Sequence, residues 1–153
     1  MSVVSTSPTS GSAPTSGNSQ SVAESMGFKQ SMIVMEIGFD EDVDLELRDA
    51  IADQTGEELV DEDSDEVVDV VLLWYREGDD DLTDYLVDAV GPLADDGMIW
   101  LLTPKRGRDG YVEPSDIAEA ASVAGLSQTS VRTVSAEWSG TRLVGRKSGG
   151  SKR

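Results

Sequence analysis

The residues best suited to chemistry sit where apolar runs end. Glu36, Gly38, Phe39 and Asp40 close the run Met32-Ile33-Val34-Met35-Glu36-Ile37. Trp74, Tyr75 and Arg76 close a second run that begins at Val67, and Thr103 and Lys105 close a third at Thr103-Pro104-Lys105. In an open α/β sheet, ligands bind beyond the carboxyl ends of the strands, where strand order reverses. These residues are therefore the expected lining of one pocket. In an enzyme, Glu36 or Asp40 would serve near a cofactor and Lys105 near a substrate. Lys105, Arg106 and Arg108 form a second candidate, a basic loop ahead of an expected helix whose free N–H groups could help hold an anion. Ser139, Thr141 and Arg142 offer further polar groups beside Trp138.

Much chemistry is excluded at once. The chain has no cysteine, hence neither disulfide nor thiolate, and no histidine, the commonest general base and transition-metal ligand. Asp40-x-Asp42-x-Asp44 begins like a calcium loop, but Leu45 stands where glycine is required and Ile51 where the bidentate glutamate is required. Asp61-x-Asp63-x-Asp65 fails in the same way at Glu66 and Leu72. No metal site and no catalytic residue is expected.

The elements that must position these residues are legible from periodicity. Val67 to Trp74 is almost unbroken apolar and β-branched, as in a parallel strand buried on both faces. A helix starting in Asp79-Asp80-Asp81 turns Leu82, Tyr85, Leu86, Ala89 and Val90 inward. After the Gly91-Pro92 break and a turn at Gly97, a strand runs from Met98 to Leu102. Upstream, a first strand over Met32–Ile37 leads to a helix capped by Asp44, with Leu45, Leu47, Ala50 and Ile51 inward, ending before Gly56. Glu57–Val60 is expected as a short edge strand. Downstream, a helix starting near Ser115 presents Ile117, Ala120, Ala121 and Ala124, with Gly125 as its left-handed cap. Two last strands, Thr129–Trp138 and Thr141–Lys147, are joined by a Ser139-Gly140 turn as an antiparallel hairpin. The sum is β-α-β-β-α-β-α-β-β, an α/β fold: a three-layer Rossmann-like sandwich with a mostly parallel sheet and a C-terminal antiparallel β-hairpin.

Composition sets the domain limits. Residues 1–26 are a Ser/Thr/Pro/Gly-rich tail, expected to be disordered, with Thr6, Ser7 and Thr15 as phosphorylation candidates. Residues 27–147 form one domain, and 148–153 a short basic tail. The net charge is −18, and between Glu36 and Asp96 there are 24 acidic residues against only Arg48 and Arg76. From Gly97 onward the balance reverses, nine basic against five acidic. So acidic a surface repels nucleic acid and anionic membrane and suits a basic protein partner. No apolar run approaches the ~20 residues of a membrane span, and no Lys or Arg precedes Lys29 as a signal sequence would require. Cytoplasmic residence is the expectation.

The order of elements resembles the class I S-adenosylmethionine-dependent methyltransferases, and Leu93-Ala94-Asp95-Asp96-Gly97-Met98-Ile99 is similar to the turn before their fifth strand. Those enzymes carry an acidic residue and G-x-G-x-G after the first strand, whereas this chain has Glu36-Ile37-Gly38-Phe39-Asp40-Glu41-Asp42. Met35 to Asp44, Val71 to Arg76, Ile99 to Lys105 and Glu137 to Val144 together resemble an actinobacterial family known as domain of unknown function 3052. That resemblance spans Gly27 to Lys147 and implies a small Rossmann-like protein without bringing an activity or a ligand. Two functional readings stand. The first is a non-catalytic domain that binds an unidentified protein partner or a regulatory small ligand. The alternative is a methyltransferase-type enzyme with a degenerate loop for S-adenosylmethionine.

Overall fold

The computed structural model describes residues 21–78 and 81–145. Residues 1–20 of the expected 1–26 tail, the 148–153 tail, the Asp79-Asp80 start of one helix and the Arg146-Lys147 end of one strand lie outside them.

In chain order the elements are β1 (Val34–Ile37), α1 (Leu45–Thr55), β2 (Val60–Asp61), β3 (Val68–Trp74), α2 (Leu82–Val90), β4 (Leu93–Pro104), α3 (Pro114–Val123), β5 (Leu126–Thr133) and β6 (Trp138–Gly145). They form an α/β fold around one six-stranded mixed sheet of order β2-β1-β3-β4-β6-β5. The first four strands pair in parallel, and β6 runs antiparallel to both β4 and β5. The sheet centre explains the apolar run: β3 lies between β1 and β4, and all of its residues but Asp69 are buried. Asp69 is tolerated because its carboxylate accepts from the Ile33 N–H at 2.9 Å.

Alternation along the strands gives each sheet face its own core. One face carries Val71, Leu73, Ile99, Leu101 and Leu143 under Leu86 of α2 and Ile117, Ala120 and Ala121 of α3. The other carries Val70, Leu72, Trp74, Trp100 and Leu102 under Leu47, Ala50 and Ile51 of α1. Ala23, Met26 and Phe28 complete that second core. Residues 21–25 are helical and Trp100 Nε1 donates to the Met26 carbonyl at 3.1 Å, so the packed unit begins before Gly27.

Helix caps follow the sequence closely. Asp44 accepts from Leu47 N, Asp81 accepts from Thr83 N, and Gly56 closes α1 in the left-handed conformation. Five expectations are corrected. Leu45 does not face inward but stands 57% exposed at the first turn of α1. The edge strand is Val60–Asp61 rather than Glu57–Val60, and the third strand starts at Val68, leaving Val67 exposed.

Gly97 makes no turn before β4, because the strand already starts at Leu93. Residues Ala94 to Gly97 are instead a bulge, with Val68 opposite Leu93 and Val70 opposite Met98. A Cβ at Gly97 would sit 2.8 Å from the Asp69 carbonyl oxygen. Ser139-Gly140 is likewise inside β6, paired with Thr103 and Leu102. The hairpin reverses at 134–137, where Ser135 Oγ accepts from Glu137 N and Trp138 N. Gly140 serves close packing, since a Cβ there would lie 2.8 Å from Val134 and 3.1 Å from Trp100.

Candidate functional site

The expected strand-end pocket divides into two regions of opposite character, one on each face of the sheet. The first is the crevice beyond β1 and β3. Gly38 takes φ +86°, and a Cβ there would lie 2.3 Å from the Trp74 carbonyl oxygen, so the β1–α1 loop is pressed against the end of β3. Arg48, one turn into α1, reaches back to Glu36 with Nε on Oε2 at 2.6 Å and Nη2 on Oε1 at 2.9 Å. Trp74 Nε1 also donates to Glu36 Oε2, at 2.8 Å. Glu36 is thus a buried carboxylate held by a bidentate guanidinium and an indole, the arrangement that makes burying its charge tolerable.

Arg76 occupies the mouth of the same crevice. Its Nη1 donates to the carbonyls of Gly38 at 2.9 Å and Trp74 at 3.3 Å. Its Nε and Nη2 donate to the two oxygens of Asp42. The guanidinium lies 5.3 Å from the centre of the Trp138 ring, which meets Trp74 edge-on at 4.9 Å and donates to the Asp42 carbonyl at 3.2 Å. The Arg76 hydrogen bond holds the Asp42 carboxyl below the usual carboxylate range, opposed by some burial.

Asp40, Asp42 and Asp44 therefore do not converge on a cation. Asp40 accepts from Glu41 N, Asp42 pairs with Arg76, and Asp44 caps α1. Phe39 is 54% exposed with Arg48 over its ring at 4.7 Å.

The second region is a cavity of about 240 Å³ on the α3 side of the sheet. Its floor is Thr103 of β4 with Ser139 and Thr141 of β6. These alternate with Leu101 and Leu143 along the strands and so share the face that α3 covers. Its walls are Pro104, Tyr111, Val112, Pro114, Ile117 and Val131, and Arg106 and Gln128 stand exposed at its mouth. Thr103 and Thr141 are 4% and 3% exposed. Neither hydroxyl hydrogen-bonds to any described residue.

The candidates of one expected pocket thus go to different places. Glu36, Gly38, Trp74 and Arg76 meet in the crevice. Thr103 faces the α3 cavity, and Tyr75 packs edge-on against Tyr85 of α2 at 5.7 Å. The basic loop does not converge either. Arg108 pairs with Glu137, Arg106 lies 5.4 Å from the Tyr111 ring centre, and the Lys105 N–H donates to the Glu137 carbonyl. Sequence reasoning missed Arg48, Asp42 and Trp138 in the crevice and Tyr111 and Gln128 at the cavity. A signal for the first existed: Arg48 and Arg76 are the only cations between Glu36 and Asp96, and both are used here.

S-adenosylmethionine, the group that this topology implies, does not fit the crevice as it stands. The Glu36 carboxylate and the Gly38 and Trp74 carbonyls already have protein donors, and the Arg76 side chain fills the approach to Gly38.

Comparison with known proteins agrees on family and fold. Residues 23–147 match the model of the protein family of unknown function DUF3052, and the chain belongs to that family. Uncharacterized proteins of Mycobacterium tuberculosis and Mycobacterium bovis are 53% identical over 131 residues, covering 86% of this chain and 82% of theirs. Among solved structures, an S-adenosylmethionine-dependent methyltransferase from Aquifex aeolicus superposes with a TM-score of 0.54 at 14% identity, over 82% of this chain and 88% of that one. Mitomycin 7-O-methyltransferase gives 0.63 at 13% identity, over 86% of this chain and 54% of its own. Likeness at such identity carries the fold alone.

Proposed function

We propose that this chain is a non-catalytic cytoplasmic protein, a three-layer Rossmann-like sandwich of methyltransferase topology that acts by binding a protein partner or a regulatory small ligand. The observation that carries this reading is Arg76, whose guanidinium ties Gly38, Trp74 and Asp42 together in the crevice where strand-end ligands of open α/β sheets are held. A ligand there would have to displace a network of charge-assisted hydrogen bonds, each about twice as strong as a neutral one. Exposed Glu77 and Asp81 of the acidic stretch, joined by Asp116 and Glu119 of α3 along the groove between α2 and α3, form the surface we assign to a basic partner.

The competing reading, a methyltransferase-type enzyme, rests on Glu36-Ile37-Gly38 at the end of β1 and on the fold of the solved neighbours. Equilibrium dialysis with radiolabelled S-adenosylmethionine separates the two. The closed crevice predicts no retention by the full chain at millimolar ligand. Retention by the full chain would overturn the closed crevice, and retention accompanied by methyl transfer would make the enzyme reading correct.

A further inference from the structure

The α3-side cavity has the features of a ligand site that the closed crevice lacks, lies on the opposite sheet face from that crevice, and gives the regulatory small ligand of the reading above, on which this inference rests, a place to bind. At about 240 Å³, it exceeds the ~150 Å³ that holds a benzene ring and falls short of the ~300 Å³ at which drug-sized pockets begin. One ring with small substituents is the size it takes. Its walls are apolar, but its floor is not, because Thr103 and Thr141 bury hydroxyls that no described residue satisfies. Burying such groups is unfavourable unless something in the cavity bonds them. The floor therefore calls for a neutral hydroxyl or carbonyl.

The mouth carries one cation, Arg106, which has Tyr111 as its neighbour and no ion pair with any described carboxylate. Its planar fork suits a carboxylate. A multiply charged group would find no second cation at the mouth, since Arg108 is paired with Glu137, and would face a chain of net charge −18.

We propose that this cavity binds a one-ring monocarboxylate bearing a hydroxyl or carbonyl opposite its carboxylate, with the neutral group on Thr103 and Thr141 and the carboxylate on Arg106. The test uses 4-hydroxybenzoate and benzoate as probes on the full chain, by calorimetry and by amide chemical shifts. The expected result is a dissociation constant for 4-hydroxybenzoate of about 1 mM or below, within reach of a ligand this small. Shifts should centre on Thr103, Thr141 and Val131.

Thr103→Val and Thr141→Val, which keep the shape and remove the hydroxyl, should each weaken 4-hydroxybenzoate about three- to tenfold and leave benzoate unchanged. Arg106→Gln, an exposed change that does not touch the core, should weaken both probes. Absence of binding at 10-fold higher probe (on the order of 10 mM) would overturn the proposal, because the cavity would then hold water only. Binding indifferent to the threonine variants would also overturn it, since the anion would then be meeting a surface arginine alone.

Discussion

The two ends of the same sheet edge have been finished in opposite ways. Beyond β1 and β3, every strong polar group has a protein partner: Glu36 with Arg48 and Trp74, and Asp42, Gly38 and Trp74 with Arg76. Near the paired ends of β4 and β6, two threonine hydroxyls are buried with no partner among the described residues, under a cavity with a cation at its mouth. A fold whose likeness is to methyltransferases would be expected to keep its open site at the first place and none at the second. The contrast shows that position on a fold does not decide where a ligand goes. What decides is whether the polar groups there are already satisfied.

The contrast breaks most visibly at Arg48. Arg48→Met leaves the Glu36 carboxylate buried with only the Trp74 indole, and should cost about 2–4 kcal/mol in urea unfolding, since breaking a buried pair strands a charge. A cost near zero would mean that the crevice is wet and open. Gly38→Ala comes next, at about 2–3 kcal/mol, from the left-handed backbone penalty plus the contact with the Trp74 carbonyl.

On the other side of the comparison the sign reverses. Thr103→Val and Thr141→Val should each stabilise the ligand-free chain by about 0.5–1 kcal/mol, since a buried hydroxyl without a partner is replaced by a methyl group of the same shape. Destabilisation by either would show that the hydroxyl already has a partner.

The smallest effect belongs to Asp42. Its carboxyl titrates below the usual value because Arg76 stabilises the charged form. The stability it contributes is therefore fully present above the unfolded-state value of about 3.9 and is lost as pH falls through the lower folded value. Asp42 is half exposed, so Asp42→Asn should cost no more than about 1 kcal/mol at neutral pH. The gap between mutant and wild-type unfolding curves should close as pH falls below about 4. A gap independent of pH would place the effect in packing rather than charge.

The fold was largely legible because its signals are local. The β-branched run of β3, the Asp44 and Asp81 caps and the left-handed glycines at 56 and 125 each act within a few residues. Gly97 and Gly140 misled for a physical reason. A glycine demanded by a neighbour's proximity, Asp69 and Leu93 in one case and Val134 and Trp100 in the other, looks in sequence like one demanded by a turn. The site was only half legible. Strand ends could be located, but not which face each residue took, and parity alone sends Thr103 to one face and Trp74 to the other. Arg48 and Trp138 lie 12 and 102 residues from Glu36 in sequence, and no periodicity connects them to it.

The closed crevice is tested most directly by the indole N–H resonances of Trp74 and Trp138 in a nitrogen-resolved spectrum of the full chain, recorded while S-adenosylhomocysteine is added to millimolar concentration. Trp74 Nε1–H is bonded to Glu36 and Trp138 Nε1–H to the Asp42 carbonyl, so both report on the network from inside it. With the network closed, neither resonance should move and the Gly38 amide should stay in place. Saturable shifts of these three signals would show that the network opens to admit the ligand, and would contradict that closure.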